Sequence, residues 1–245
     1  SSVKLAAWGT DVLREHAIRH DSSRWDQAVL QWATELFGDQ PLLWRLASVR
    51  RSTANQLSDA ICARGSQPLI QFITHQHVPM PLAVDHPDRL GIDRLLSGFA
   101  ASRRFKLPLV VIDAGSAITV DWIDHQGCFC GGAILPGLGL QSRALATETE
   151  ALPQLQWDQP TPPAVPAKNT GDAIRAGILL GIAAAIDDLI VRYQQAAEVA
   201  TDHLTVVITG GDAPTISPHL RHNHQVTPNL VCRGLLDLPR SIEVR

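Results

Sequence analysis

The predicted strands and helices of this chain run through the same order twice, and this repeat constrains the fold more than any other feature. A strand, a turn and a second strand are predicted within residues 3–19, and alternating helices and strands follow. The pattern restarts where Leu109–Asp113 forms a short apolar strand and residues 118–123 form its neighbour. We therefore expect an α/β fold with mixed sheets and helices packed on them, divided into an N-terminal lobe of residues 1–107 and a C-terminal lobe of residues 108–245.

Periodicity and turn residues predict the remaining elements. Apolar residues at helical spacing from Trp25 to Phe37, with Ser22 or Ser23 as a cap, predict a helix over 23–37. The other predicted helices cover 53–64, 92–105, 138–150, 172–200 and 213–220, and the other predicted strands cover 42–49, 68–73, 128–134 and 204–209.

Composition excludes several classes of protein. Hydrophobic residues make up 45% of the 245 positions and charged residues 18%, so the chain can bury a core and is not disordered. A net charge of −3 argues against a nucleic-acid partner, which requires a clustered basic surface. No apolar run approaches the roughly 20 residues of a membrane-spanning helix, and Ser1–Lys4 do not begin a signal peptide. We expect a cytoplasmic protein with no membrane or nucleic-acid partner.

The cysteines and one cluster of histidines are the candidate metal ligands. None of the four cysteines lies in a C-x-x-C pair, so the pattern favours reduced thiols over a disulfide framework or structural zinc. Cys128 and Cys130 share one face of the predicted strand, and we interpret them as two small buried residues. His219, His222 and His224 have no acidic or cysteine neighbour in the sequence, which favours a solvated loop over a metal site.

Two glycine turns follow predicted strands and could approach a ligand closely. Asp113-Ala-Gly-Ser116 combines a carboxylate, a tight turn and a hydroxyl, and Gly210-Gly211 ends the strand over 204–209. Each is a weak signal alone, because an ordinary turn has the same composition. Together they suggest a nucleotide held between the lobes, with the acid able to hold a cation beside phosphate oxygens.

Two helix starts carry further polar groups. Gly91-Ile92-Asp93-Arg94 opens the helix over 92–105, where Asp93 is either a favourable charge at a helix N-terminus or a carboxylate in a cleft that accepts a substrate proton. Arg94 is then either a surface partner or a clamp for a polar substrate group. Spacing alone favours the surface interpretation. At the later helix, Asn169 or Thr170 is sufficiently explained as an N-terminal cap.

Taken in order, these motifs resemble the type III pantothenate kinase family over almost the whole chain. The resemblance rests on motifs in the family's order and spacing, namely Pro87-x-x-x-Gly91-Ile92-Asp93-Arg94, Val111-Ile112-Asp113-Ala-Gly-Ser-Ala-Ile-Thr119, Gly131-Gly132-Ala-Ile-Leu-Pro136-Gly137, Lys168-Asn-Thr170 through Gly177, and Thr209-Gly210-Gly211. The family belongs to the acetate and sugar kinase, heat-shock and actin superfamily, which implies two ribonuclease-H-like lobes with a nucleotide between them.

The resemblance implies transfer of the ATP γ-phosphoryl group to pantothenate, the first step of coenzyme A synthesis. By similarity Asp93 would accept the proton, while Gly91, Ile92, Arg94 and Thr170 would bind pantothenate, Thr170 across a homodimer interface. Asp113 would bind a monovalent cation, K⁺ or NH₄⁺, beside Mg²⁺-ATP. The nucleotide contacts would come from Ser116, Gly210, Gly211 and the first residues Ser1, Ser2, Val3 and Lys4.

Two departures from the family pattern bear on these expectations. The family opens with a strand and an Asp-x-Gly-Asn-Thr/Ser turn that holds Mg²⁺-ATP, and Ser1–Lys4 resemble only the tail of that turn. We therefore expect a segment bearing this strand to precede Ser1. Val84 stands where the family often has a tyrosine at the substrate pocket. If the first turn is naturally missing, the alternative is a catalytically impaired homologue that acts as a nucleotide-binding or regulatory accessory protein.

Overall fold

The structure, a computed structural model, describes residues 2–9, 12–19, 24–64, 68–157, 163–200 and 203–239. Its elements in chain order are β1 (Ser2–Gly9), β2 (Val12–Arg19), α1 (Trp25–Phe37), β3 (Leu43–Leu46), α2 (Arg51–Cys62), β4 (Leu69–Phe72), α3 (Ile92–Ser102), β5 (Leu109–Ala114), β6 (Ala117–Ile123), β7 (Phe129–Pro136), α4 (Leu138–Glu148), α5 (Thr170–Ala196), β8 (Thr205–Thr209), α6 (Ala213–Ile216), β9 (Gln225–Val226) and α7 (Leu230–Asp237). Short 3₁₀ helices cover His75–His77, Pro87–Arg89 and Ser217–His219.

The chain forms two compact units that do not follow one another simply in sequence. The first unit contains the described residues within Ser1–Met80, Asp85–Ala100 and Asn229–Arg245, and the second those within Pro81–Val84 and Ala101–Pro228. This division differs from the two consecutive lobes expected from the sequence, because the chain returns to the first unit at Asn229.

The first unit packs two small sheets on one helical core. β1 and β2 form an antiparallel hairpin, and β3 and β4 form a separate parallel pair. Apolar residues three and four apart on α1 and α2, including Val29 and Leu57, bury the faces that meet these strands. Ile18 of β2 lies in this cluster and Trp44 of β3 packs against it, so both sheets share the same core.

The second unit is built on one five-stranded sheet in the order β7-β6-β5-β8-β9. β5 runs antiparallel to β6 and parallel to β8, β6 and β7 are antiparallel, and β8 and β9 are parallel. This is the strand order of a ribonuclease-H-like lobe, and the predicted α/β fold with mixed sheets is confirmed. Ile174, Ile178, Ile182 and Ile186 recur every four residues along α5 and pack into the same core as the buried strand β5.

The histidine-rich segment is held against α5 rather than forming a solvated loop. The carboxylate of Asp187, a buried residue of α5, accepts backbone N–H bonds from Arg221 at 3.1 Å and from His222 at 3.3 Å. Its Oδ1 also lies 2.8 Å from Nδ1 of His222. The expectation of a solvated loop is therefore wrong at His222, which has an acidic partner. Asp187 lies 35 residues before His222, so the sequence neighbourhood could not reveal the contact.

Of the helices in the described ranges, none has the length and apolar character that crossing a bilayer demands.

Candidate functional site

Two of the predicted glycine turns lie at the same edge of the sheet in the second unit. β5 and β8 are parallel neighbours in which Asp113 is paired with Thr209. The carboxyl ends of both strands therefore meet, and the Gly115–Ser116 and Gly210–Gly211 turns emerge side by side. Ligands of open α/β sheets bind at this end of the strands.

The close approach of the two turns depends on Gly210. Its φ of 100° lies in the left-handed region, and a Cβ atom there would overlap the backbone of Ala114. Asp212, two residues after Gly210, donates its backbone N–H to the Ala114 carbonyl at 2.9 Å. Only glycine fits between β8 and the end of β5 in this arrangement.

A third glycine turn joins the first two. Gly137 follows β7 and donates its N–H to the Ser116 carbonyl at 3.1 Å. A Cβ atom on Gly137 would overlap the carbonyl oxygen of Gly115, so this contact too requires glycine. Three segments that are distant in sequence thus converge beside the end of β5, and side chains are nearly absent from the places where their backbones meet.

Carboxylates accompany these turns. Asp113 is half-buried at the penultimate position of β5, and Ser116 is exposed on the turn. Asp212, which immediately follows Gly211, is also half-buried, and desolvation raises the pKa of its carboxyl above the ordinary value of 3.8. Asp212 is not among the residues predicted from the sequence, although an acid directly after a Gly-Gly pair is the signal that could have indicated it.

The proton acceptor predicted from the sequence lies in the first unit, at the start of α3. Asp93 is in the first turn, and its Oδ1 accepts the backbone N–H of Arg94 at 2.9 Å. Gly91 leaves room for this carboxylate, since a Cβ atom on it would lie 2.6 Å from the same oxygen. Ile92 is buried and anchors the helix start, whereas Asp93 is exposed. An exposed carboxylate at a helix N-terminus is the arrangement that spacing alone favours.

Thr170 is the first residue of α5 and is exposed. The preceding residue, Asn169, caps the helix, because its side-chain oxygen accepts the backbone N–H of Asp172 at 2.8 Å. Its Nδ2 also donates to Oδ2 of Asp172 at 2.7 Å. These two bonds fix the backbone that presents the Thr170 hydroxyl.

Val84 belongs to the second unit and lies against β7. The short segment before it pairs with Phe129, whose N–H donates to Pro81 and whose carbonyl accepts from Ala83, both at 2.9 Å. Cγ1 of Val84 lies 3.8 Å from the place a Cβ atom would occupy on Gly131. The side chain predicted to line a substrate pocket therefore packs beside the glycine pair that precedes Pro136-Gly137.

The predicted nucleotide contacts at the chain start lie in β1 of the first unit, apart from Ser1, which is outside the described residues. Ser2, Val3 and Lys4 pair with Arg19, Ile18 and Ala17 of β2. The side chain of Val3 packs against the hydrophobic core of this unit.

Comparisons with known proteins agree with the motifs. A family model described as type III pantothenate kinase matches residues 1–192. A protein of that name from Rhodopirellula baltica is 42% identical over 200 residues, which cover 79% of this chain and 71% of the relative. Another, from Rubrobacter xylanophilus, is 43% identical over 153 residues, covering 62% of this chain but only 58%, less than two thirds, of that protein.

A solved structure shares the fold. It belongs to a conserved Baf family protein of Campylobacter jejuni described as a transcriptional activator, and it aligns with a TM-score of 0.55 at 21% identity. The alignment covers 91% of this chain and 88% of that one. At this identity the likeness concerns the fold alone.

Proposed function

The chain belongs to the type III pantothenate kinase family, and from this premise we propose that it transfers the γ-phosphoryl group of ATP to the primary hydroxyl of pantothenate. The product would be 4′-phosphopantothenate, the first intermediate of coenzyme A biosynthesis. The observation that carries this proposal for the present chain is the convergence of the Gly115, Gly137 and Gly210 turns beside Asp113 in the second unit.

Those turns suit a triphosphate. Phosphoryl transfer passes through a loose transition state, so catalysis consists mainly of positioning the reactants and neutralising charge. A turn without side chains lets backbone N–H groups come close to phosphate oxygens, and the exposed Ser116 adds a hydroxyl donor. We assign the nucleotide to Ser116, Gly210 and Gly211, and Ser1–Lys4 remain predicted nucleotide contacts.

The donor atoms near these turns fit hard cations. Asp113 and Asp212 offer carboxylate oxygens, and Ser116 offers a hydroxyl, the ligand types that Mg²⁺ and K⁺ prefer. We assign Asp113 to a monovalent cation, K⁺ or NH₄⁺, and the divalent ion to the phosphates of ATP. Bound there, the cations would neutralise charge that accumulates on the transferred group and on ADP.

Asp93 is assigned as the acceptor of the hydroxyl proton of pantothenate. The pantothenate hydroxyl oxygen forms a bond to the γ-phosphorus, the bond from that phosphorus to the β–γ bridging oxygen breaks to release ADP, and the hydroxyl proton passes to the carboxylate of Asp93. The exposed carboxylate is accessible to a substrate hydroxyl, and its bond from the Arg94 N–H orients it. Gly91, Ile92 and Arg94 would form the surrounding pantothenate site, in which the Arg94 guanidinium can hold a polar substrate group.

The remaining assignments concern specificity and assembly. Thr170 is proposed to contact pantothenate across a homodimer interface, presented by the capped start of α5. Val84 is proposed to line the substrate pocket where relatives often carry a tyrosine.

The test is an assay of the full-length protein with ATP, Mg²⁺ and pantothenate. We expect ADP release that depends on pantothenate, formation of phosphopantothenate detected by mass spectrometry, and a faster rate in K⁺ or NH₄⁺ than in Na⁺ at equal ionic strength. Absence of the phosphorylated product in all three salts would contradict the kinase assignment. Equal rates in the three salts would remove only the monovalent cation from the proposal.

A further inference from the structure

A cluster of three potential metal ligands lies in the second unit at the hairpin between β6 and β7, and the kinase chemistry has no use for it. One ligand atom from each of Asp124, Cys128 and Cys130 can be chosen so that all three lie within 4.8 Å of one another. Among the residues that the structure describes, no other group of His, Cys, Asp and Glu side chains meets this condition.

The backbone of the hairpin brings the three side chains together. Oδ1 of Asp124 accepts the N–H groups of Gln126 at 2.8 Å and of Cys128 at 2.9 Å, which fixes the carboxylate across the turn. Its other oxygen, Oδ2, accepts no hydrogen bond from the described residues. The carboxylate is therefore oriented by one oxygen while the other is available to a ligand.

A β-bulge sets the position of Cys130. Asp121 pairs with Gly132 and Ile123 with Phe129, so the single residue between Asp121 and Ile123 faces both Cys130 and Gly131. Gly131 has a φ of 95°, which only glycine adopts without strain. Bulges bend a strand and change where its side chains point, so this segment differs from the regular strand predicted to hold Cys128 and Cys130.

We propose that Asp124, Cys128 and Cys130 form a binding site for a thiophilic divalent cation of the Zn²⁺ class. Two sulfur ligands select a soft or borderline ion such as Zn²⁺ over Mg²⁺ or Ca²⁺. A tetrahedral centre with Zn–S bonds of about 2.3 Å holds its sulfurs about 3.8 Å apart, so the observed spacing requires only small side-chain rotations. Three protein ligands leave the fourth position to water.

The thiols are accessible and weakly bonded. Both cysteines are half-buried, so an ion can reach them, which is not the fully buried environment expected from the sequence. The Cys130 thiol donates to the carbonyl of Cys128 at 3.4 Å, and the Cys128 thiol to the carbonyl of Phe129 at 4.0 Å. Binding would replace these contacts with metal–thiolate bonds and release the two thiol protons to solvent.

The test is a Co²⁺ titration of the full-length, reduced protein under anaerobic conditions. We expect one equivalent of Co²⁺ to produce an intense sulfur-to-cobalt charge-transfer band, and Zn²⁺ to bleach it by displacement, since Zn²⁺ binds such ligands more tightly. Cys128→Ser and Cys130→Ser should each weaken or abolish the band. Cys62→Ser, which removes an exposed thiol of α2, is the matched control and should leave the band unchanged.

Asp124→Asn separates metal binding from folding. An asparagine oxygen can still accept the N–H groups of Gln126 and Cys128, so the turn should persist and the melting temperature of the metal-free protein should stay unchanged. Loss of the carboxylate ligand should weaken Co²⁺ binding on the order of tenfold or more.

Three results would overturn the proposal. The first is the absence of a stoichiometric band in the reduced protein, and the second is a band that persists in the Cys128→Ser/Cys130→Ser double variant. The third is a thiol count of two rather than four on the denatured, anaerobically purified protein, traced by peptide mapping to a Cys128–Cys130 disulfide. None of these readouts depends on kinase activity, so either proposal can be contradicted without affecting the other.

Discussion

The two units hold their candidate functional groups by different means. In the second unit, strand register and glycine contacts position the backbone itself, as where Gly210 lies against Ala114 and Gly137 against Gly115. In the first unit, the groups are side chains on one turn of helix, where Asp93 is exposed and bonded to the N–H of its neighbour Arg94.

Because of this difference, substitutions in the two units should affect stability and activity in different ways. A backbone site at the end of a buried sheet cannot change without disturbing the packing that forms it. An exposed side chain at a helix start can be exchanged at little structural cost. Substitutions at Gly137 and Gly210, whose backbones touch neighbouring segments, should therefore affect folding and activity together, whereas substitutions at Asp93 should affect activity alone.

The largest effect is expected for Gly210→Ala. Overpacking of a tight site costs about 1–3 kcal/mol, and a non-glycine residue in the left-handed region adds about 1–2 kcal/mol. We expect a loss of roughly 3 kcal/mol in the free energy of unfolding, measured by urea denaturation. Phosphoryl transfer should fall with it, because the turn would separate from Ala114.

Gly211→Ala is the matched control for stability. Its φ lies outside the left-handed region and a Cβ atom would meet nothing within 4 Å, so its free energy of unfolding should change by less than about 0.5 kcal/mol. Equal stability of the two alanine variants would contradict the view that backbone contact builds this part of the second unit.

Asp93→Asn tests the other half of the comparison. Loss of a general base lowers kcat by about 10²-fold or more, which corresponds to roughly 2.7 kcal/mol at the transition state. Asparagine keeps an oxygen that can accept the Arg94 N–H, so the free energy of unfolding should change by no more than about 1 kcal/mol. Steady-state kinetics and urea denaturation on the same preparation measure both quantities.

Asp59→Asn, at an exposed position on α2 of the same unit, controls for the loss of one negative charge and should leave kcat unchanged. An Asp93→Asn enzyme with normal turnover would remove Asp93 from its assigned role. An Asp93→Asn protein that loses several kcal/mol of stability would show that the first unit couples function to folding after all.

Local chemistry made much of the second unit predictable. The run Leu109–Asp113 is apolar and ends at a glycine turn, so its strand, its burial and its turn could be read from neighbouring residues. The capping role of Asn169 was predictable for the same reason. Helix α5 was expected over 172–200 and spans Thr170–Ala196, because periodicity marks the body of a helix better than its ends.

Contacts between distant residues were not predictable. The helix α7 was missed, and it is fixed to the first unit by Arg45, whose guanidinium donates to the carbonyls of Leu235 and Leu238, each at 2.9 Å. The strand β9 was missed because two residues carry no period. The acidic partner of His222 also depends on tertiary packing, which spacing along the chain does not record.

The smallest effect concerns Asp212, the acid that follows the Gly210–Gly211 turn. Burial raises the pKa of its carboxyl above 3.8, so the native state binds this proton more tightly than the unfolded state does. Ionisation at neutral pH therefore costs native stability, and the cost disappears as the pH falls through the raised pKa.

Asp212→Asn removes this cost while keeping the side chain's shape. We expect the variant to be more stable than the wild type in urea at about pH 7, with a difference that narrows on acidification. If the stability advantage of Asp212→Asn instead grew as the pH fell, the ionised Asp212 carboxylate would be stabilised by nearby positive groups. Burial would then not be the dominant influence on its pKa.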